Sequence, residues 1–170
     1  LAWIAKTRDV NGLVGYWPGS DGVVSVTAWS LQFVVSAREA GHEIPQALEL
    51  DLVRTLRRAV RSDFPLFVDS SQFAERVWAL SALADAGLAD AGYAAELARR
   101  AQFLSAESLA QVLRVLVQSG SVAAAELARL RTRLWSLLRT RLQAGEAVYM
   151  GLDERNSSNR LILPGETRSI

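Results

Sequence analysis

The 170-residue sequence contains no cysteine and one histidine, His42. The first absence excludes disulfides, thiolate nucleophiles and cysteine-ligated metals within these residues, and the second excludes a multi-histidine metal site. Lysine is almost missing as well, since Lys6 is the only one, so arginine carries the pI of about 8.4. Neither sign of charge is in excess, with 19 Lys+Arg against 18 Asp+Glu. A balance of that kind creates no field that gathers nucleic acid or an anionic membrane. Long apolar runs are also lacking. The most hydrophobic stretch, Val23 to Ala37, is broken by Ser25, Thr27, Ser30 and Gln32 and falls short of the ~20 apolar residues of a bilayer span. No membrane insertion is expected of it. The chain opens on Leu1 rather than methionine, so it is expected to be part of something longer, and a missing signal sequence carries no information.

What is present is apolar residues at helical spacing. Half of the sequence is hydrophobic, enough for one domain that buries roughly two thirds of its surface. Leu48, Leu52, Val53, Leu56 and Val60 recur at intervals of three and four, with Glu49, Arg54, Arg57, Arg58 and Arg61 filling the other face. That is an amphipathic helix, and Pro45 suits its first turn. Phe73, Val77, Leu80, Leu83 and Ala84 repeat the period between the cap candidates Ser70-Ser71 and Gly87. Further helices are expected over Ala91–Phe103, Glu107–Ser119 and Val122–Gln143, punctuated by Ser105, Gly120-Ser121 and Gly145. Val23 to Ala40 is apolar almost all round, the pattern of a helix surrounded by others. The expected fold class is therefore all-α, with an inner and an outer layer of helical hairpins, an α/α toroid.

Two segments interrupt the helices. Asn11 to Gly22 holds Gly12, Gly15, Gly19 and Gly22 together with Pro18, so it is a loop with special backbone positions. Ala147–Met150 and Leu161–Leu163 are short apolar runs about a polar turn, which predicts a small β-hairpin within 146–164.

Candidate chemistry is thin. Asp85 with Asp90, and Asp51 with Asp63, are the nearest thing to a carboxylate pair for glycoside hydrolysis. Asp85 and Asp90 are better read as flanks of a turn around Gly87, and His42 as an exposed residue of a helix-to-helix connection. Arg54, Arg57, Arg58 and Arg61, and later Arg129, Arg131, Arg133, Arg139 and Arg141, alternate with apolar residues at helical spacing and lack interleaved aromatics. They read as solvated helix faces rather than phosphate contacts. The glycine loop has no GK[ST] ending and is no phosphate cradle. No cofactor and no metal is expected. Tyr16, Trp17 and Trp29 are expected to anchor the glycine loop in the core, with Trp17→Ala or Trp29→Ala costing ~3–5 kcal/mol.

The order NGLVGYWPG, then VTAWSLQFVVSAREAGHEIP, then RVWALSALADAG and FLSAESLAQVLRVLVQSG resembles the thioester domain of bacterial α2-macroglobulin-like proteins across nearly the whole chain. The family's glycine-aromatic-Trp-Pro loop is matched by Gly12, Gly15, Tyr16, Trp17 and Pro18, and the helix that follows it by Thr27, Ala28 and Trp29. The resemblance implies a single, incomplete α/α-toroid domain over residues 1–170, cut from a large periplasmic protein that traps or inhibits proteases. It implies no enzyme. Its implied partners are other domains of the same chain, target proteases and proteins encoded beside it, with tethering to the inner membrane through another part of the full-length protein. Members with trapping chemistry carry a Cys-x-x-Gln motif, which this chain lacks, and no histidine stands near Asp69 to Phe73, where some relatives place one. Both departures point to the thioester-less type. The alternatives are a terpenoid cyclase or prenyltransferase, or a glycosidase, on the same toroid; the Asp-rich ionising motif of the cyclases is missing. A TPR-type scaffold is disfavoured because no 34-residue period recurs.

Overall fold

The computed structural model describes residues 1–61, 73–120 and 122–152. Within them lie a short α1 (Ala2–Lys6), then α2 (Val24–Glu39), α3 (Gln46–Val60), α4 (Ala74–Asp85), α5 (Ala91–Arg99), a 3-10 turn at Ala101–Phe103, α6 (Ala106–Ser119), α7 (Ala124–Ser136) and the strands β1 (Leu138–Gln143) and β2 (Glu146–Leu152). The boundaries follow local chemistry. The Ser105 hydroxyl accepts from the Ser108 N–H at 3.1 Å and starts α6, and Asp90 does the same for α5 through Tyr93 N–H. After α2 and α4 the chain closes with the same pair of bonds, Gly41 N–H to Arg38 O with His42 N–H to Ala37 O, and Gly87 N–H to Ala84 O with Leu88 N–H to Leu83 O. These are Schellman closures, which turn each helix back into a hairpin. Asp85 and Asp90 do flank that second turn.

The helices form two layers. Trp29 meets Trp78 and, further along both helices, Gln32 meets Asp85; Ser81 meets Gln111 and Asp85 meets Arg114. So α2, α4 and α6 lie side by side and run in one direction, as an inner row. Outside them, α3 packs on α2 and α4, α5 on α6, and α7 on α6. Arg38 near the end of α2 pairs with Glu49 in the first turn of α3, which makes that hairpin antiparallel. Leu31, Leu52, Leu56, Leu80, Leu109, Leu116 and Leu130, from both layers, are completely buried between them. This is the arc of an α/α toroid that the periodicities predict.

Two expectations need correction. The helix expected over Val122–Gln143 ends at Ser136, and Leu138–Gln143 becomes the first strand of the hairpin. The hairpin is present, but β2 pairs backward with β1 across Ala144-Gly145; Leu161–Leu163 lie outside the described residues. Leu138, Arg139, Thr140, Arg141 and Leu142 fit a strand as well as a helix, and the positive φ of Ala144 (+52°) and Gly145 (+86°) makes the two-residue turn that decides for the strand. Second, α2 is not enclosed on all sides: Val24, Ala28, Leu31, Val34 and Val35 are buried, while Trp29 and Phe33 reach solvent. Beyond these, α4 begins after Phe73 (φ +56°); the cap candidates Ser70 and Ser71 lie outside the described residues, as does Asp63. The Phe73 ring is held by Phe103 at 6.5 Å and by the Arg100 guanidinium at 5.5 Å, contacts that offset the ~1–2 kcal/mol cost of a left-handed conformation.

Candidate functional site

The glycine loop is organised by a residue the sequence reading passed over. The Asp9 carboxylate accepts backbone N–H bonds from Asn11 (2.8 Å), Leu13 (2.9 Å) and Gly22 (3.3 Å), so one side chain draws both ends of the loop together. The Asp9-Val10-Asn11-Gly12 run is an Asx-turn signal that would have found it. Backbone bonds from Gly15 N–H to Thr7 O and from Val23 N–H to Val14 O close the base. Thr27 then pins the loop to α2: its hydroxyl donates to Val23 O and accepts from Val14 N–H, each at 2.8 Å. Arg58 donates to Asn11 O at 2.7 Å, and Arg8 pairs with Asp51 at 3.1 Å, which ties the same loop to α3.

At the tip, Trp17-Pro18-Gly19-Ser20 is a type II turn, with Ser20 N–H to Trp17 O at 3.1 Å and Gly19 at φ +83°. Gly15 lies so close to Ser20 that a Cβ there would sit 2.2 Å from its hydroxyl oxygen. The eight motif residues therefore divide. Gly15, Thr27 and Ala28 are buried and Gly12 is half-buried, whereas Tyr16, Trp17 and Pro18 stand on the surface. Trp17 is 62% exposed and Trp29 38% exposed, so the expectation that both are packed inside is corrected. For Trp17 the turn gives the reason: its hydrogen bonds, between Trp17 and Ser20, are all local. Tyr16 and Trp17 lie with ring centroids 6.2 Å apart, and Trp29 makes an edge-to-face contact with half-buried Trp78 at 5.6 Å.

The carboxylates weighed as catalysts have structural partners. Asp85 accepts from Arg114, with one contact at 3.2 Å, and from Gln32 at 2.7 Å; Arg114 also reaches Ser81 and Gln111. This half-buried network joins α2, α4 and α6, and sequence alone gave no sign of it. Asp90 caps α5, and Asp51 is shared by Arg8 and Arg54. A cleft of about 460 Å³ opens between the end of α3 and the α4–α5 turn, lined by Arg57, Arg61, Leu83, Leu88, Asp90 and Tyr93 among others. Among the described residues of that lining the one carboxylate is the α5 cap, which is already engaged by the Tyr93 N–H. His42 is exposed in the α2–α3 connection. Among the described residues no three acidic, histidine or cysteine side chains are grouped for a metal, and no helix is long and apolar enough to cross a membrane.

No family model and no curated protein matches the sequence. Solved structures do. Native α2-macroglobulin of E. coli overlaps 77% of this chain with a TM-score of 0.66 at 21% identity, and its portion from domain MG7 to the C-terminus overlaps 78% with a TM-score of 0.67 at 20%. Salmonella α2-macroglobulin reacted with methylamine overlaps 78%, with a TM-score of 0.68 at 20% identity. The fold is one that bacterial α2-macroglobulins contain. This chain spans only 9% of the native E. coli and of the Salmonella protein and 22% of the E. coli portion. The overlap is one of fold.

Proposed function

We propose that the chain is a structural and protein-contact domain of a bacterial α2-macroglobulin-like protease trap, an incomplete toroid within a much longer periplasmic protein, of the thioester-less type. The observation that carries this reading is the fold overlap over more than three quarters of the chain with the E. coli and Salmonella proteins. Other solved forms of the E. coli protein are described as activated by trypsin and by elastase, and by analogy the parent of this chain responds to cleavage by a protease. The chain itself has no cysteine to form a thioester, and Asp85 and Asp90, the acids weighed as a pair, are engaged in an ion pair and a helix cap. It acts by contact rather than catalysis, and the glycine-aromatic loop with Thr27, Ala28 and Trp29 serves as the family's structural motif. Other domains of the parent, target proteases and neighbouring-gene proteins are its partners, with membrane attachment supplied elsewhere in the parent.

The test is treatment of the full-length parent with methylamine and with a broad-specificity protease, reading mass and protease retention together. Retention of the protease without a methylamine adduct is the expected result. An adduct with release of a free thiol would overturn the thioester-less reading and leave the trap reading in place. Neither adduct nor retention would overturn the trap reading itself.

A further inference from the structure

A cationic recess on the outer layer has no place in that reading. It lies where the end of α5 and the 3-10 turn meet α7, and its volume is about 360 Å³. Its polar lining among the described residues is Arg99, Gln102, Arg129, Thr132, Arg133 and Ser136: three guanidinium groups, two hydroxyls and an amide, with no carboxylate among them. The α7 contributors are spaced so that Arg129 with Arg133, and Thr132 with Ser136, stand one helical turn apart on adjoining rows. The sequence places Arg129 and Arg133 on a solvated helix face; Arg129 is exposed and Arg133 half-buried, and both line the recess beside α5.

The charges in the recess are unequally matched. Arg129 is held by both oxygens of Glu126, at 2.9 and 2.6 Å, and also touches Ala98 O at 3.4 Å. Arg99 and Arg133 form no ion pair among the described residues. Arg133 has a single side-chain contact, Ser136 Oγ at 3.5 Å, the outer limit of a hydrogen bond, and its Nε has no acceptor among the described residues. Two guanidinium charges are thus left in one recess with donors around them, and an anion is what such a lining accepts. Among the described residues no aromatic ring lines it to offer a platform for a nucleobase. Its volume is roughly a dozen water volumes, more than one inorganic anion fills, so the occupant brings a chain with its charge.

We infer that this recess binds a carboxylate-bearing peptide segment of a protein partner, with Arg99 and Arg133 as the contacts. The inference does not rest on the α2-macroglobulin-like reading, and its test uses this chain directly.

The probe is an acetylated, amidated hexaglutamate peptide, titrated calorimetrically at low ionic strength, with inorganic phosphate as a parallel titrant. Saturable binding is expected, weakened roughly tenfold by Arg133→Gln and by Arg99→Gln, the loss of one charge-assisted contact each. Arg131→Gln removes the same charge from an exposed position of α7 outside the recess, and is expected to change affinity by less than about twofold. Arg99 is exposed, so its variant keeps the fold and the test does not depend on Arg133 alone. No saturable binding would overturn the proposal, as would an equal loss in Arg131→Gln, which would mean unspecific attraction. Phosphate binding as tightly, with the same dependence on Arg99 and Arg133, would replace the peptide site with a small-anion site.

Discussion

At the residue scale, single side chains decide what is held and what is displayed. Asp9 satisfies three loop N–H groups at once, so Asp9→Ala is expected to cost about 2–3 kcal/mol in chemical denaturation. Trp17, whose turn keeps its ring in solvent, is expected to tolerate Trp17→Ala within about 0.5 kcal/mol. Trp29 is in edge-to-face contact with Trp78, and Trp29→Ala is expected to cost about 1–2 kcal/mol, between the surface and core limits. A denaturation midpoint that moves as far for Trp17→Ala as for Asp9→Ala would contradict this ordering. Glu126 titrates below its ordinary 4.5 because Arg129 hydrogen-bonds its charged form, an effect that burial partly opposes. A carboxylate with a depressed native pKa contributes stability above its unfolded value and loses it as the pH falls through the native value. The pair is exposed and its contribution small, so the midpoint itself is the readout: NMR is expected to find it below 4.5 and to find it raised in Arg129→Gln.

At the element scale, the hairpin is the most easily changed unit. Its strands meet the helical body chiefly where β1 follows α7, and Leu142, Val148, Tyr149 and Met150 are exposed. Two strands alone are marginal in water, and Ala144 adds a left-handed conformation that alanine adopts at a cost. Ala144→Asn is expected to stabilise the hairpin by about 0.5–1 kcal/mol, seen as slower amide exchange of Leu142 and Val148 with little change in the helices. The helices were legible because burial on one face imposes a period that Leu48, Leu52, Leu56 and their counterparts carry openly. The α7–β1 boundary was not, since Leu138–Gln143 satisfies two periods and the turn that chooses between them lies beyond it.

At the scale of the whole molecule, the arc leaves apolar side chains uncovered. Trp3, Tyr16, Trp17, Phe33, Phe103 and Trp135 are each more than half exposed, a density of surface aromatics that marks contact surfaces. The chain is therefore expected to self-associate with rising concentration in sedimentation experiments, and acrylamide is expected to quench most of its tryptophan fluorescence, because Trp3, Trp17 and Trp135 are three of five tryptophans. A monodisperse monomer with shielded tryptophans would contradict both.

The sequence by itself determined the helical class, the helix stop at Gly87, the loop between Asn11 and Gly22, and the absence of thiol chemistry within these residues. Each depends on residue type and short-range spacing, which act before any distant contact forms. Only the tertiary structure decided which loop aromatics face water, that Asp85 belongs to Arg114, and that Arg99 and Arg133 share a recess. Those outcomes depend on which faces of separate helices meet, and helical spacing names a face without naming its neighbour.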